Sequence, residues 1–168
     1  MNWNPWRYCG VFFANSRCTF LKSYLRKNEG SGIWFWENGK IQYWIITDNE
    51  YGVDSFFAPD VFGCSIFGNR IGIAGFGTIV NNCNIVNNME WGISGFPGFD
   101  LIDNEIMNNA KGGVELDGTV PFETPESVIS ENRIINNTGS GIACSEENSI
   151  FNFSSMRSRG CLCLIMKI

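Results

Sequence analysis

The chain has 168 residues, of which 44% are hydrophobic, and its 17 acidic and 12 basic residues give a formal net charge of −5 at pH 7. This composition excludes a disordered chain, and no apolar run approaches the roughly 20 residues that a membrane span needs. The acidic balance, without a basic stripe, also excludes an electrostatic surface for nucleic acid.

The chain contains no histidine. Catalysis by a Ser-His-Asp or Cys-His arrangement is therefore excluded, and zinc and copper lack their commonest protein ligand. The seven cysteines are an odd number without a metal-ligand spacing, so they predict no simple disulfide framework. We expect no cofactor, apart from a calcium ion that is considered below.

A unit of about 20 residues repeats along most of the chain. The stretch "NIVNNMEWGISG" at 84–95 returns as "NEIMNNAKGGVEL" at 104–116 and as "NRIINNTGSGIAC" at 132–144. Short Ile and Val segments separated by Asn and Gly turns at this period predict a β-solenoid, in which each repeat is one coil of strands and turns. Glycine followed by an aliphatic residue marks the coils at Gly10, Gly32, Gly52, Gly72, Gly92, Gly113 and Gly141.

A polar residue recurs four residues before most of these glycines, and an apolar residue recurs seven before them. Adjacent coils stack about 4.8 Å apart, so an inward Asn can hydrogen-bond to its equivalents in neighbouring coils. We predict a structural ladder rather than a catalytic role. The predicted ladder residues are Asn28, Asp48, Asn69, Asn88, Asn109 and Asn137, and the apolar residues are Leu25, Ile45, Ile66, Ile85, Ile106 and Ile134.

The units N-x-I-x-x-N-x-x-x-G-[IV] at 104–114 and 132–142 resemble the right-handed parallel β-helix proteins of the pectin-lyase-like superfamily, especially the NosD-type short repeats. The resemblance implies an all-β, right-handed, single-stranded parallel β-helix of about seven coils. It also implies a polysaccharide or cell-surface glycan as partner and an extracellular, periplasmic or cell-surface location. The copper association of NosD-type members has no support in a chain without histidine.

The predicted organisation has three parts. Residues 1–9 form a partial N-terminal segment, residues 10–152 form the β-helix with an insertion loop at 117–130, and residues 153–168 form an atypical tail or last coil. The N-terminal segment is too short for the cap that shields an open solenoid end. We therefore expect a fragment of a longer solenoid, for which the lack of a signal peptide in the first residues is uninformative.

Two acidic residues directly before the insertion are candidate catalytic groups. Glu115 and Asp117 alternate with Val114 and Leu116, so both are predicted to point outward, roughly 7 Å apart. That distance suits a general acid and base on either side of a glycosidic bond. The alternative is a solvated acidic strand face.

Asp103, in the coil before the insertion, and Glu131, in the coil after it, occupy matching positions. They are predicted to stack as like charges about 5 Å apart. Two carboxylates at this distance either raise the pKa of one of them, move apart or bind a cation such as Ca²⁺. In the same way, Glu105 and Arg133 are predicted to form a cross-strand ion pair.

A column of aromatic residues recurs at a spacing of 20 residues. Strict alternation places it outward, beside Trp34, as a platform for stacking sugars or as a surface covered by another segment. The alternative is a bulge that turns the rings into the core. The column consists of Trp36, Phe56, Phe76 and Phe96.

Cys64 and Cys83 are predicted to lie inward at neighbouring positions. They act either as small buried residues or as a disulfide, and the sequence leaves both interpretations open.

Three functional hypotheses follow. The first is a non-catalytic β-helix module for glycan binding or surface display. The second is a carbohydrate-active lyase, hydrolase or epimerase that uses Glu115 and Asp117 near the 117–130 loop. The third is a structural spike or adhesin module, which predicts a homo-oligomer.

Overall fold

A computed structural model describes residues 8–14, 19–117, 127–145, 151–154 and 157–159, the last two ranges and Ser145 by their backbone only. The chain is a β-solenoid of about five turns with a period of about 21 residues. Three parallel sheets run along it, each with seven strands. We name them sheets A, B and C in the order in which each coil contributes to them. No helix in the described part of the chain has the length and apolarity to cross a membrane.

Sheet A has the longest strands. Its members, in spatial order, are β1 (Val11–Phe13), β4 (Ser31–Phe35), β7 (Tyr51–Ser55), β10 (Ile71–Gly75), β13 (Trp91–Gly95), β16 (Gly112–Asp117) and β19 (Ile142–Ser145). Sheet B contains β2 (Thr19–Leu21), β5 (Lys40–Gln42), β8 (Asp60–Phe62), β11 (Ile79–Asn81), β14 (Asp100–Ile102), β17 (Ser127–Ser130) and β20 (Phe151–Ser154). Sheet C contains β3 (Tyr24–Arg26), β6 (Ile45–Thr47), β9 (Ser65–Phe67), β12 (Asn84–Val86), β15 (Glu105–Met107), β18 (Arg133–Ile135) and β21 (Arg157–Arg159).

The core consists of aliphatic side chains stacked coil upon coil. Each sheet directs at least one column of buried residues inward, and β-branched residues dominate because they pack well on a pleated surface. Burial of each such side chain is worth about 1.5–3 kcal/mol. The columns include Ile33, Val53, Ile73, Ile93 and Val114 from sheet A, Ile41, Val61, Val80 and Leu101 from sheet B, and Ile46, Ile66, Ile85 and Ile106 from sheet C.

A continuous ladder of asparagines lies in the turn between sheets C and A. In each step, the side-chain Nδ2 and the backbone N–H of one residue donate to the Oδ1 of its equivalent in the next coil. The ladder residues are Asn28, Asn49, Asn69, Asn88, Asn109 and Asn137. The predicted ladder is therefore present, with one correction.

The prediction that Asp48 belongs to the ladder is wrong, and Asn49 takes its place. Asp48 is exposed, with a left-handed φ of 58°, a conformation that Asn and Asp adopt more readily than most residues. The inward aliphatic residue of that coil is Ile46, whereas Ile45 is 42% exposed. The ladder residue always follows the inward aliphatic residue by three positions, so a count from the later glycine misplaces both.

A second, shorter ladder occupies the turn between sheets B and C, and the sequence analysis did not predict it. The Asn104 Nδ2 donates to Asn132 Oδ1 at 2.9 Å, and the Cys83 backbone N–H donates to Asn104 Oδ1 at 2.9 Å. In the coil before Cys83, the Cys64 backbone N–H donates a hydrogen bond to Cys83 Sγ at 3.4 Å. Both cysteines are buried free thiols, and the hydrogen bond with the Cys64 side chain, followed by burial, raises the pKa of Cys83.

Candidate functional site

The outer face of sheet A carries two columns of outward side chains. The first column has one member per strand in direct register: Phe12, Trp34, Asp54, Ala74, Ser94, Glu115 and Ala143. The second column follows two residues later in each coil: Trp36, Phe56, Phe76, Phe96 and Asp117. Inward residues such as Ile33 and Phe35, both fully buried, alternate with these positions and fix their direction.

Five aromatic side chains at the N-terminal end of this face form a continuous series of ring contacts, which we call the aromatic strip: Phe12, Trp34, Trp36, Phe56 and Phe57. The rings of Trp36 and Phe56 stack with centroids 5.1 Å apart and planes at 8°. Trp34 joins this pair to Phe12, with centroid distances of 5.6 Å to Trp36 and 5.1 Å to Phe12. The edge of the strip is formed by Phe57, which contacts Phe56 at 4.9 Å in a perpendicular arrangement.

Four rings of the strip are open to solvent, whereas Trp34 is buried, with 6% of its surface exposed, so the prediction that Trp34 offers a surface for a sugar is wrong. Trp36, Phe56 and Phe57 are 40%, 53% and 40% exposed, and Phe96 further along the second column is also exposed. Phe76 is half-buried. Outward placement therefore follows the simple alternation, and the alternative of a bulge that turns these rings into the core is wrong. Large apolar side chains exposed side by side mark an interaction surface.

Asp54 lies within the first column, in register with Trp34 and two residues before Phe56. Its Oδ2 accepts a hydrogen bond from Ser31 Oγ at 3.4 Å, and the Trp34 side chain donates to the same carboxylate. Burial raises the pKa of Asp54 to about 6, although these hydrogen bonds act in the opposite direction. The carboxylate is thus a polar group set into an aromatic surface.

Sequence reasoning gave Asp54 no role. Its environment comes from contacts between coils, which alternation within one strand does not reveal. The available signal was the position of an acidic residue two residues before the aromatic column and in register with Trp34.

Glu115 and Asp117 lie outward on β16, at the C-terminal end of the same face. Val114 and Leu116 between them are fully buried, so the predicted alternation is confirmed. Glu115 Oε2 accepts a hydrogen bond from Ser94 Oγ at 2.8 Å, and Asp117 is exposed. A catalytic role for the pair stays a prediction, and residues 118–126 of the predicted insertion loop lie outside the described part of the chain.

Asp103 and Glu131 are exposed and occupy equivalent tight turns of adjacent coils, with φ of 53° and 58°. The Asp103 N–H donates to the Ser130 carbonyl at 3.2 Å. Within the described ranges, no group of three or more His, Cys, Asp or Glu side chains is placed to hold a metal ion. Two carboxylates supply few of the six to eight oxygen ligands that Ca²⁺ takes, so the structure adds no support to this candidate site.

The predicted pair of Glu105 and Arg133 is confirmed, since the two residues are in register on β15 and β18 and form a salt bridge.

The charged side chains in the two columns of the sheet A face are all negative. The columns contain three carboxylates, Asp54, Glu115 and Asp117, and neither column contains Lys or Arg. The nearby basic residues serve other contacts: Arg70 bridges Glu50 and Glu90, and the Lys111 ammonium lies 5.5 Å from the centroid of the Trp91 ring. The face is therefore aromatic at one end and acidic at the other.

Comparison with protein-family models, with curated proteins and with solved structures finds no match to this chain. The geometry and charge of the sheet A face therefore provide the basis for a functional proposal.

Proposed function

We propose that the chain is a non-catalytic recognition module, for glycan binding or surface display, and that a linear glycan lies on the outer face of sheet A along the solenoid axis. The observation that carries this proposal is the aromatic strip, in which the rings of Trp36 and Phe56 recur at the coil spacing and remain exposed. Aromatic side chains supply apolar surface for the C–H faces of sugars, and adjacent polar groups fix the orientation.

The repeat also suits a polymer. Neighbouring coils lie about 4.8 Å apart, which is close to the length of one pyranose unit in an extended chain. Successive sugars could therefore meet equivalent positions in successive coils. Trp36 and Phe56 stack on each other, so their outer edges, together with Phe57, form the apolar surface.

The proposal extends to the finer architecture that the resemblance implies. Parallel strands joined by crossover connections are right-handed in about 98% of cases, which supports a right-handed solenoid. The presence of seven strands in each sheet supports a count of seven coils. A glycan partner agrees with a pectin-lyase-like β-helix that works outside the cytoplasm, in the periplasm or at a cell surface.

Isothermal titration calorimetry with neutral β-1,4-linked oligosaccharides tests this proposal. Trp36→Ala combined with Phe56→Ala should weaken binding about tenfold or more, which corresponds to about 1.4 kcal/mol. Phe67→Ala is the matched control, because Phe67 is an exposed aromatic residue on sheet C. Equal affinity of the double variant and the wild type would show that the glycan does not bind at the aromatic strip.

A second candidate is a carbohydrate-active enzyme, a lyase, hydrolase or epimerase, that uses Glu115 and Asp117. The position of both carboxylates on the same face as the aromatic strip favours it, because a bound glycan would extend over them. Glu115→Gln and Asp117→Asn distinguish the two candidates. If the chain is such an enzyme, each of the two variants should lose turnover of a glycan that the wild type processes.

A further inference from the structure

We infer that the glycan recognised by the sheet A face carries amino groups, as in a polymer of glucosamine, and that uronate-containing or sulfated glycans are excluded. This inference rests on the proposed function and names the chemical class of its ligand.

The first argument is the one-sided charge of the two outward columns. They contain Asp54, Glu115 and Asp117 and no basic side chain. A face that binds uronates or sulfate esters needs Lys or Arg opposite the anion, and like charges across an interface are strongly unfavourable. The charge of the face therefore fits a cationic ligand and opposes an anionic one.

The second argument is the position of Asp54 relative to the aromatic strip. An ammonium group that approaches it meets a carboxylate and neighbouring aromatic rings at the same place, and both attract a cation. The side chains of Ser31 and Trp34 and the backbone N–H of Ser55 donate to this carboxylate. An ionised carboxylate has about four acceptor positions, so capacity remains for a donor from the ligand.

The third argument is the distance between the carboxylates. Asp54 and Glu115 belong to the same column and are separated by three coil steps through Ala74 and Ser94. At about 4.8 Å per step the separation is about 14 Å. A tetramer with one sugar per coil would thus bring an amino group near Asp54 at one end and near Glu115 and Asp117 at the other.

The experiment compares three β-1,4-linked tetramers with the same ring and linkage: glucose, glucosamine and glucuronate. We expect the glucosamine tetramer to bind about fivefold to tenfold more tightly than the glucose tetramer, and the glucuronate tetramer to bind most weakly. Raising the ionic strength should reduce the preference for glucosamine without changing the affinity for glucose.

The charge-neutral triple variant Asp54→Asn, Glu115→Gln, Asp117→Asn isolates the cause. It should lose the preference for glucosamine, so that the glucosamine and glucose tetramers bind to it with equal affinity. Asp100→Asn is the matched control, because Asp100 lies outward on sheet B, and it should keep the preference. Circular dichroism of the triple variant establishes that it folds.

The outcomes separate this inference from the proposed function. Equal binding of glucose and glucosamine tetramers, or tightest binding of glucuronate, would overturn the inference and leave glycan binding intact. Failure of all three tetramers to bind would contradict the proposed function and the inference together.

Discussion

The Oδ1 atom of Asn69 accepts two hydrogen bonds from Asn49, one from the side-chain Nδ2 at 2.9 Å and one from the backbone N–H at 3.0 Å. This double acceptance recurs through the buried ladder, so each amide is paired with the coils on both sides. Together with the backbone pairing of the three parallel sheets, the ladder fixes how each turn between sheets C and A stacks on the next.

Replacing a central ladder residue should therefore be costly. We expect Asn88→Ala to lower the free energy of unfolding by about 2–4 kcal/mol, because it leaves the Asn69 N–H without its acceptor in a buried turn and removes one of the two donors to Asn109 Oδ1. Urea denaturation followed by circular dichroism measures this change. Asn84→Ala, at an exposed position of β12, is the control. A loss for Asn88→Ala within about 0.5 kcal/mol of the control, the usual range for surface substitutions, would contradict the ladder.

Asp48 and Asn49 should respond in opposite ways. Asn49→Ala removes a ladder member and should destabilise the chain, whereas Asp48→Gly should stabilise it by up to about 1 kcal/mol, because Asp48 has a left-handed φ that glycine adopts without strain. Gly68 already occupies the equivalent turn of the next coil with φ of 66°. If Asp48→Gly were the more damaging change, the assignment of the ladder to Asn49 would be wrong.

The second ladder predicts that an asparagine can replace Cys83. The thiol of Cys83 lies 3.4 Å from the Val61 carbonyl and 3.3 Å from the Asn81 carbonyl. Asn132 Nδ2 makes the corresponding two contacts, to the Leu101 and Ser130 carbonyls. Cys83→Asn should therefore be at least as stable as the wild type, and Cys83→Ala should be less stable by about 1–2 kcal/mol. Thermal unfolding of the two variants under reducing conditions provides the comparison, and an opposite ranking would count against the ladder.

The stability of the chain should depend on pH through Asp54. The pKa of this carboxyl rises from 3.8 to about 6 on folding, mainly through burial. Its contribution to stability is therefore fully present below pH 3.8 and is lost as the pH rises through about 6. Asp54→Asn should be more stable than the wild type above this range by about 1–3 kcal/mol, and the difference should vanish at low pH. A difference that does not change with pH would show that Asp54 titrates normally.

The architecture could be predicted from the sequence because a solenoid repeats its pattern of inward residues in every coil. Inward Ile85 and Ile106, outward Glu115 and the pairing of Glu105 with Arg133 all follow from period and alternation. These features depend on position within one coil and on the step to the next, and the sequence shows both.

The remaining features depend on contacts that the repeat does not encode. Cys83 does not look like a ladder residue in sequence, since only the fold shows that a thiol takes the place of an amide. Asp54 acquires its raised pKa from burial at a position in register with Trp34, one coil away. The repeat does not distinguish Asp48 from Asn49, because the two polar residues are adjacent and the turn that follows varies in length.

The most direct test of the account is calorimetric titration of the wild type and of the Trp36→Ala, Phe56→Ala double variant with the glucosamine and glucose tetramers. The account predicts that the wild type binds both, with a preference for glucosamine, and that the double variant loses about tenfold or more in affinity for each. Unchanged affinity in the double variant, with Phe67→Ala as the reference, would show that the aromatic strip is not the binding surface.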